Sequence, residues 1–367
     1  MPPTDWESPG FSHGEEVNWE WASCWWAHMR ERRLAITDRL AVRAVRTVSG
    51  ELVGVAPLLL TERPAVGPFR ARTLQFVGPD PNMTEMCGVL CDPRYEGEVY
   101  DALVDDMQTS TDNWSWIRWT GIPAASGTAE MLSKRGVRLS VANPAYMLSL
   151  PDTWEEFKAG RPPNVREALR KGYTALRKRN LEFGLEVARS PAEVLNVLPD
   201  FFRLHHARAE LKGTLRHTDV FASRPARHFL FDLCNRLATR DVTRVFALRV
   251  GDRIVAIRLG FVLHGCLYLY YLGWDPAYRD HGVMTTALAE TIKYAIEQGL
   301  SSVHLSFGRD RSKTRWRPQE MNYLNGVQLA PRQEVQFVWW ISQLAHSYRG
   351  ELGRRLLPEF LLRDRGR

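Results

Sequence analysis

The sequence predicts an α/β fold of the α+β type, with two units that each have a mixed, mostly antiparallel central sheet flanked by helices. Three observations lead to this prediction. The chain has 367 residues, which is more than one domain of typical size. Strand-like runs alternate with single amphipathic helices in both halves. A strand, a glycine-containing turn and a Val-rich strand occur within residues 40–60 and recur within residues 248–261.

Composition and charge exclude several classes of protein. Hydrophobic residues make up 44% of the chain and charged residues 25%, as in globular proteins. Apolar runs stay shorter than the roughly 18 residues of a membrane span, and the acidic N-terminus lacks a secretory pattern. We therefore expect a cytoplasmic protein without membrane insertion. The net charge of +7 is compatible with an anionic partner such as coenzyme A or a nucleic acid.

The five cysteines predict neither disulfides nor a metal site. They are scattered, odd in number, and form no CxxC pair or Cys/His zinc spacing. We expect free thiols and no bound metal.

In the first half, turn residues separate successive strand patterns. A hairpin is predicted over residues 40–60, with its turn at Ser49–Glu51. Further strands are predicted at residues 72–78, 86–92 and 114–122, with a helix near Glu96–Ser110.

In the second half, Asp152 lies three residues before Glu155, a capping-box spacing that predicts a helix start. Three antiparallel strands are predicted over residues 245–273, with turns at Gly251–Asp252 and His264–Gly265. The remaining predicted elements are strands at 181–188 and 301–307, and helices at 192–210, after Arg224 and at Met284–Gln298.

The stretch WDPAYRDHGVMT, Trp274–Thr285, joins a predicted strand to a long helix through Arg279 and Gly282. The free N–H groups and the dipole at the start of a helix favour a diphosphate. Gly282 permits close backbone approach, and Arg279 supplies positive charge. The alternative is a tight connection that needs glycine only for its geometry.

This stretch resembles motif A of the GNAT acyltransferase superfamily, with Met284 where that motif has Gly or Ala. Together with FFRLHHAR, VGDRIVAIRLGF and LSFGRDRSKTRWRP, it resembles the CelD/BcsL-type acetyltransferases, which are related to the FemAB transferases. The Leu-His-x-x-Arg block of that family corresponds to Leu204, His205 and Arg208. Its Gly-x-x-x-Tyr-Lys-x-x-Trp block corresponds to Gly308, Lys313 and Trp316, with Ser312 in place of the tyrosine.

The resemblance implies two tandem GNAT-like domains. The expected boundaries are an N-terminal domain at 1–147, a C-terminal domain with the acyl-donor site at 148–330, and a C-terminal helix and basic tail at 331–367. It implies acyl-CoA as co-substrate, held by the strand end and the helix start. The residues expected to bind it are Gly273, Trp274, Arg279, His281, Gly282, Val283, Met284 and Thr285.

Four residues are candidates for catalysis. His205 titrates near neutral pH and could serve as a base, as could Asp310 or a water molecule. Tyr271 could protonate the leaving thiolate, and Lys313 follows the last core strand, where α/β sheets bind ligands. Each has a structural alternative, such as a core aromatic or a solvated loop. The candidates for substrate binding are Arg208, Glu85 and Trp316.

The basic helix NVREALRKGYTALRKRN suggests a larger partner. Val165, Leu169, Gly172 and Leu176 form a predicted buried stripe, and a second stripe with the same spacing carries Tyr173 and arginines. Its candidates for nucleic-acid binding are Arg166, Arg170, Arg177 and Lys178. A solvated face paired with carboxylates is the alternative.

These patterns predict an N-acyltransferase that moves an acyl group from acyl-CoA to an amine of a small molecule or saccharide. The amine would attack the thioester directly, because no nucleophile–histidine arrangement is evident. One alternative is a Fem-like transferase dependent on aminoacyl-tRNA, which makes tRNA a partner. The other is an inactive GNAT-fold scaffold.

Overall fold

A computed structural model of the chain describes residues 15–33, 36–64, 70–80, 83–85, 87–109, 114–177, 182–211, 217–330, 332, 335–337 and 339. The chain divides into two compact units. The first comprises Met1–Ala142 together with Asn322–Arg367, and the second comprises Asn143–Met321. Among the described residues no helix is both long and apolar enough to cross a membrane.

The secondary structure is mixed in both units. The helices are α1 (Glu15–His28), α2 (Glu96–Thr109), α3 (Gly127–Lys134), α4 (Trp154–Ala159), α5 (Pro163–Arg177), α6 (Pro191–Ala209), α7 (Arg224–Thr239), α8 (Val283–Glu297) and α9 (Arg311–Thr314). The strands are β1 (Arg32–Arg33), β2 (Ile36–Leu40), β3 (Arg43–Arg46), β4 (Leu52–Ala56), β5 (Leu58–Pro64), β6 (Arg70–Phe76), β7 (Leu90–Cys91), β8 (Trp116–Pro123), β9 (Arg138–Val141), β10 (Ala145–Ser149), β11 (Phe183–Ala188), β12 (Thr243–Val250), β13 (Arg253–Leu263), β14 (Cys266–Trp274), β15 (Ser302–Phe307), β16 (Gln319–Met321) and β17 (Tyr323–Leu329).

The first unit contains a seven-stranded sheet in the order β1-β2-β5-β6-β8-β17-β9, and a small sheet in the order β3-β4-β7. In the large sheet β6 and β8 pair in parallel, and helix α2 lies between them in the chain. Its core is rich in aromatic side chains: Phe76 and Tyr100 both pack against the indole of Trp119. Burial of such large rings is a main source of stabilisation for a sheet of this size.

The second unit repeats this plan. Its seven strands follow the order β11-β12-β13-β14-β15-β10-β16, and β14 and β15 pair in parallel around the crossover helix α8. The other pairs in this sheet are antiparallel. The prediction of two units, each with a mixed, mostly antiparallel sheet and flanking helices, is therefore confirmed.

The predicted turns are present. Gly50 has φ +92° between β3 and β4, and Gly251 has φ +55° between β12 and β13. His264 and Gly265 both have positive φ in the hairpin β13–β14, as two-residue hairpin loops require. One prediction was off by a residue: Thr153, rather than Asp152, caps α4 by accepting the amide of Glu156.

The domain boundaries differ from those expected. The sequence places 322–330 in the second domain, but β17 pairs with β8 and β9 and belongs to the first unit. Conversely, the expected boundary at 147 cuts through β10, which lies between β15 and β16 in the second sheet. Sheet hydrogen bonds join strands that are distant in sequence, so composition alone does not locate such a boundary. The predicted helix and tail at 331–367 lie mostly outside the described residues.

Candidate functional site

Strands β14 and β15 separate in the middle of the second sheet. Their parallel pairing covers Cys266–Tyr268 against Ser302–His304, although β14 continues to Trp274. Parallel strands that diverge towards their carboxyl ends leave a crevice, which is where open α/β sheets bind ligands. The separation identifies the candidate site.

Backbone irregularities on both strands accompany the separation. Leu259 pairs with Tyr271 whereas Gly260 pairs with Leu269, so Tyr270 is the extra residue of a β-bulge. On β15, Ser306 has φ +71°, a conformation that is strained for a residue with a side chain. Bulges and strained residues concentrate near active sites, where they redirect side chains.

The chain after β14 forms a 3₁₀ helix, Pro276–His281, and then α8. Gly282 has φ +65° at the start of α8, and a Cβ there would lie 3.3 Å from the Cα of Gly172 on α5. The glycine is therefore required for its left-handed conformation and for the approach of α5, and the expectation that it admits a ligand is not needed to explain it. Arg279 is exposed next to this turn.

The other residues expected to bind coenzyme A differ in accessibility. His281, Met284, Thr285 and Trp274 are half-buried, whereas Val283 is buried in a core cluster with Leu248 and Ala287. The Val283 side chain therefore packs in the core, and only its backbone remains a candidate for contact. The first turn of α8 also adjoins a cation, because Arg315 donates a hydrogen bond to the Thr285 hydroxyl.

Gly273 is required by helix packing. A Cβ at this position would lie 2.5 Å from the His205 backbone nitrogen, so α6 lies directly against β14 here. This contact covers one side of Gly273, which was expected to face coenzyme A. It also fixes the height of α6 on the strand and places the His205 side chain beside the end of β14.

The structure fixes the tautomer of His205. Its Nδ1 lies 3.0 Å from the Leu272 carbonyl oxygen, which can only accept a hydrogen bond, so Nδ1 carries the proton. Burial lowers the pKa of His205, which favours the neutral ring. Nε2 then carries a lone pair, and it lies 3.8 Å from Asp219 Oδ1. This arrangement suits a base whose protonated form gains a counter-ion.

His205 and Tyr271 belong to one aromatic cluster. The rings of Phe201 and Phe221 lie 5.6 and 5.2 Å from the His205 ring. Phe221 also packs edge-on against Tyr271, with ring centroids 4.9 Å apart. Two of the four predicted catalytic residues are therefore held near each other by apolar walls that exclude water.

Asp310 and Lys313 lie beyond β15, around α9. Asp310 caps this short helix by accepting the Ser312 amide at 2.7 Å, and its charge acts on Arg208 and His217. Lys313 donates to the Phe307 carbonyl oxygen at the end of β15. The capping contact and the carbonyl contact position the loop, which gives each residue a structural role.

Trp316 was expected to bind substrate, but it is fully buried. Its ring lies 6.3 Å from that of Phe157 within the core of the second unit. The indole therefore packs in the core, which gives Trp316 a structural role, and its substrate-binding role stays a prediction. Glu85 lies in the first unit, and its substrate role stays a prediction.

Three arginines lie around the site, and two of them extend it beyond the predicted residues. Arg208 on α6 was predicted, but Arg258 on β13 and Arg315 after α9 were missed, as was His217, which accepts a hydrogen bond from Arg208 at 2.9 Å. Arg258 interrupts the apolar run IVAIRLGF in a central strand. That interruption was the available signal, because a charge in a buried strand is rare without a specific role.

The basic helix is only partly as predicted. Its buried stripe, Val165, Leu169, Gly172 and Leu176, is confirmed. On the second stripe Tyr173 is half-buried and donates to Glu290, and Arg170 pairs bidentately with Glu167, so neither is available as a free contact. Arg166 and Arg177 are exposed and have no ion pair within the described part of the chain. Lys178 lies outside the described residues.

One protein-family model matches part of the second unit. Residues 163–314, which contain the crevice, match one family model. The match is to an acetyltransferase (GNAT) domain. No curated protein matches the chain. The matched segment holds α5, α6, the β13–β14 hairpin and α8, and it supports acyl transfer as the general class of reaction.

Solved structures show the same fold over most of the chain. FemX aligns with a TM-score of 0.54 at 13% identity, covering 88% of this chain and 98% of FemX. The C-terminal domain of a protein described as a lysylphosphatidylglycerol synthetase, from Agrobacterium fabrum, aligns with a TM-score of 0.51 at 12% identity, covering 85% of this chain and 92% of that domain. L-PGS from Bacillus licheniformis aligns with a TM-score of 0.50 at 11% identity, covering 90% of this chain and 97% of L-PGS. The CelD/BcsL subtype is not among these findings.

Groups of three or more His, Cys, Asp or Glu side chains that could hold a metal ion do not occur among the residues that the structure describes. All five cysteines lie within the described residues and are thiols rather than disulfides.

Proposed function

We propose that the second unit is an N-acyltransferase that moves an acyl group from acyl-CoA to an amine carried by a small molecule or saccharide. The observation that carries this proposal is the separation of β14 and β15 beside the first turn of α8, with the lone pair of His205 at the same strand end. An open strand edge offers hydrogen bonds to an extended donor, and a helix start favours its phosphates.

The reaction proceeds by direct attack. The amine nitrogen forms a bond to the thioester carbonyl carbon, and the carbon–sulfur bond then breaks to release the coenzyme A thiolate. His205 Nε2 takes the proton lost by the amine, and the Asp219 carboxylate 3.8 Å away stabilises the resulting imidazolium. Tyr271 returns a proton to the thiolate. Alignment of amine and thioester supplies several kcal/mol, roughly 7 or more when the geometry is good.

Two features fit a phosphate-bearing donor. Arg279 is exposed at the turn, so it places a positive charge beside the helix start. The fifteen-residue α8 adds its dipole at the same point. Backbone groups of Gly282, Val283 and Met284 are the proposed contacts to the donor diphosphate.

Coenzyme A titration tests the donor assignment. We expect binding to the full chain that weakens by about tenfold in Arg279→Ala, the loss of one charge-assisted contact. Arg224→Ala is the matched control, because Arg224 is an exposed arginine at the start of another helix of the same unit. Equal affinity in Arg279→Ala and Arg224→Ala would remove Arg279 from the donor site.

A second candidate is an aminoacyl-tRNA-dependent transferase of the same fold. The exposed, unpaired charges of Arg166 and Arg177 on α5 favour it, because such groups contact phosphate backbones readily. Replacing both with Gln should weaken tRNA binding and reduce its salt dependence, whereas Arg170→Gln should have less effect because Glu167 already pairs with Arg170. A chain that binds neither coenzyme A nor tRNA would instead fit the inactive scaffold.

A further inference from the structure

Three arginines from separate elements converge on the candidate site. Arg258 lies on β13, directly opposite Leu272 of β14. Arg208 ends α6, and Arg315 follows α9. Burial lowers the pKa of Arg258 to about 10, and the positive charges of Arg208 and Arg315 contribute to the same shift. We call these three residues the arginine cluster.

The arginine cluster lacks matching negative charge. Arg258 is only 9% exposed, and its buried Nε has no hydrogen-bond partner. The buried Nε of Arg315 also has no hydrogen-bond partner. Within the described parts of the chain no carboxylate forms an ion pair with any member of the cluster. Burying a guanidinium without a partner is costly, and an anionic ligand would supply the missing charge.

Contacts of the cluster with other protein groups do not neutralise it. Arg208 donates to His217, and a ring nitrogen that accepts this bond carries a lone pair, so the ring is neutral; burial first, and then the charge of Arg208, lowers its pKa. Arg315 donates to the Thr285 hydroxyl, which carries no charge. Asp310 is the carboxylate that acts on both Arg208 and Arg315. Three guanidinium groups against one carboxylate leave an excess of two positive charges.

The cluster adjoins the proposed base. Leu272, which faces Arg258 across the strand pair, is the residue whose carbonyl binds His205 Nδ1. Arg208 lies one turn after His205 on α6, and its charge acts on the His205 ring. An anion held by the cluster therefore lies next to the group that takes the proton from the attacking amine.

We propose that Arg208, Arg258 and Arg315 bind a doubly charged oxyanion, such as a phosphate monoester, carried by the acyl acceptor. The inference rests on the proposed acyl transfer and narrows its substrate class to amines that bear such a group. The planar guanidinium groups bind phosphate oxygens bidentately, and three of them can enclose one group from several sides. The anion would fix the amine relative to the lone pair of His205.

Binding of inorganic phosphate tests the cluster directly. Isothermal titration of the full chain at constant ionic strength should detect one site, with affinity reduced at least about tenfold in Arg258→Gln and Arg208→Gln. Arg203→Gln is the matched control, because Arg203 lies on α6 but is exposed and pairs with Asp200. Phosphate affinity that is absent in the wild type, or equal in Arg258→Gln and Arg203→Gln, overturns the inference. If Arg258→Gln does not fold by circular dichroism, Arg208→Gln and Arg315→Gln decide the same question.

A second titration identifies which substrate carries the anion. Coenzyme A is titrated with and without saturating inorganic phosphate. Unchanged coenzyme A affinity is expected if the cluster serves the acceptor, whereas competition would assign the cluster to the donor phosphates and overturn the acceptor assignment. The two proposals fail separately: loss of phosphate binding with intact coenzyme A binding removes only the anion site. Phosphate binding without coenzyme A binding contradicts the proposed donor and leaves the site standing.

Discussion

Replacing Arg258 with Met should make the free protein more stable. The Arg258 side chain is buried in a central strand, where the like charges of Arg208 and Arg315 act on it. A residue retained for packing or pairing would destabilise the fold when removed. A residue retained for a ligand should instead carry a stability cost in the absence of that ligand.

The magnitude follows from the electrostatics. A pKa lowered to about 10 means that the folded chain holds this charge at a cost of about 3 kcal/mol relative to the unfolded chain. Arginine is charged in both states at neutral pH, so the full cost is present there and is relieved only as the pH rises above the folded-state value. Met fills a similar volume without charge. Allowing for imperfect packing, we expect a gain of about 1–3 kcal/mol.

Urea denaturation without phosphate measures this change, with Arg203→Met as control. The control should shift stability by less than about 0.5 kcal/mol, as exposed positions usually do. Phosphate at a hundred times its wild-type dissociation constant should add about 2.7 kcal/mol to the wild type and about 1.4 kcal/mol or less to Arg258→Met. A destabilised Arg258→Met with a normal control would refute the reasoning, because Arg258 would then be a structural residue.

Three further predictions follow from the same region. Burial lowers the pKa of His304 to about 3, so stability should fall by about 1.4 kcal/mol per pH unit as the pH drops below 6.5, and His304→Asn should flatten that slope in acid denaturation. His205→Gln should reduce kcat by about 10²–10⁴ and abolish the acidic limb of the pH–rate profile, whose midpoint should lie below 6.5; persistence of that limb would exclude His205 as the base. Gly273→Ala should lower stability by about 1–3 kcal/mol, because its Cβ would lie 2.5 Å from the His205 nitrogen. Gly282→Ala should lower stability by only about 1 kcal/mol, because φ is +65° there and the nearest atom to the added Cβ is 3.3 Å away. If thermal unfolding showed Gly282→Ala to be the less stable of the two variants, both predictions would be contradicted.

Local patterns were sufficient for most elements. The turns at Gly50, Gly251 and Gly265 follow from the conformations that glycine allows, and the buried stripe of α5 follows from helical periodicity. Local sequence patterns did not predict which strands pair. Strand β17 reads as a continuation of the second unit but pairs in the first, because strand partners are chosen by backbone hydrogen bonds between distant segments.

The candidate site shows the same division. The sequence by itself determined that a strand, a turn with Arg279 and Gly282, and a helix follow one another, and it named His205, Tyr271 and Arg208 by residue type and spacing. It could not assign the protonated nitrogen of His205, which depends on the Leu272 carbonyl 67 residues away. It also suggested Trp316 as a ligand contact, although that indole is enclosed by the core.

The arginine cluster was decided by tertiary structure alone. In the sequence Arg208 and Arg258 are 50 residues apart and Arg258 and Arg315 are 57 residues apart, and no local pattern links the three. The packing of α6 against β14 at Gly273 and the pairing of β13 with β14 place Arg208 and Arg258, and the contact with Thr285 places Arg315 at the start of α8. Charge and residue type are properties of the sequence. Burial, and the absence of a neutralising partner that burial makes costly, are properties of the fold.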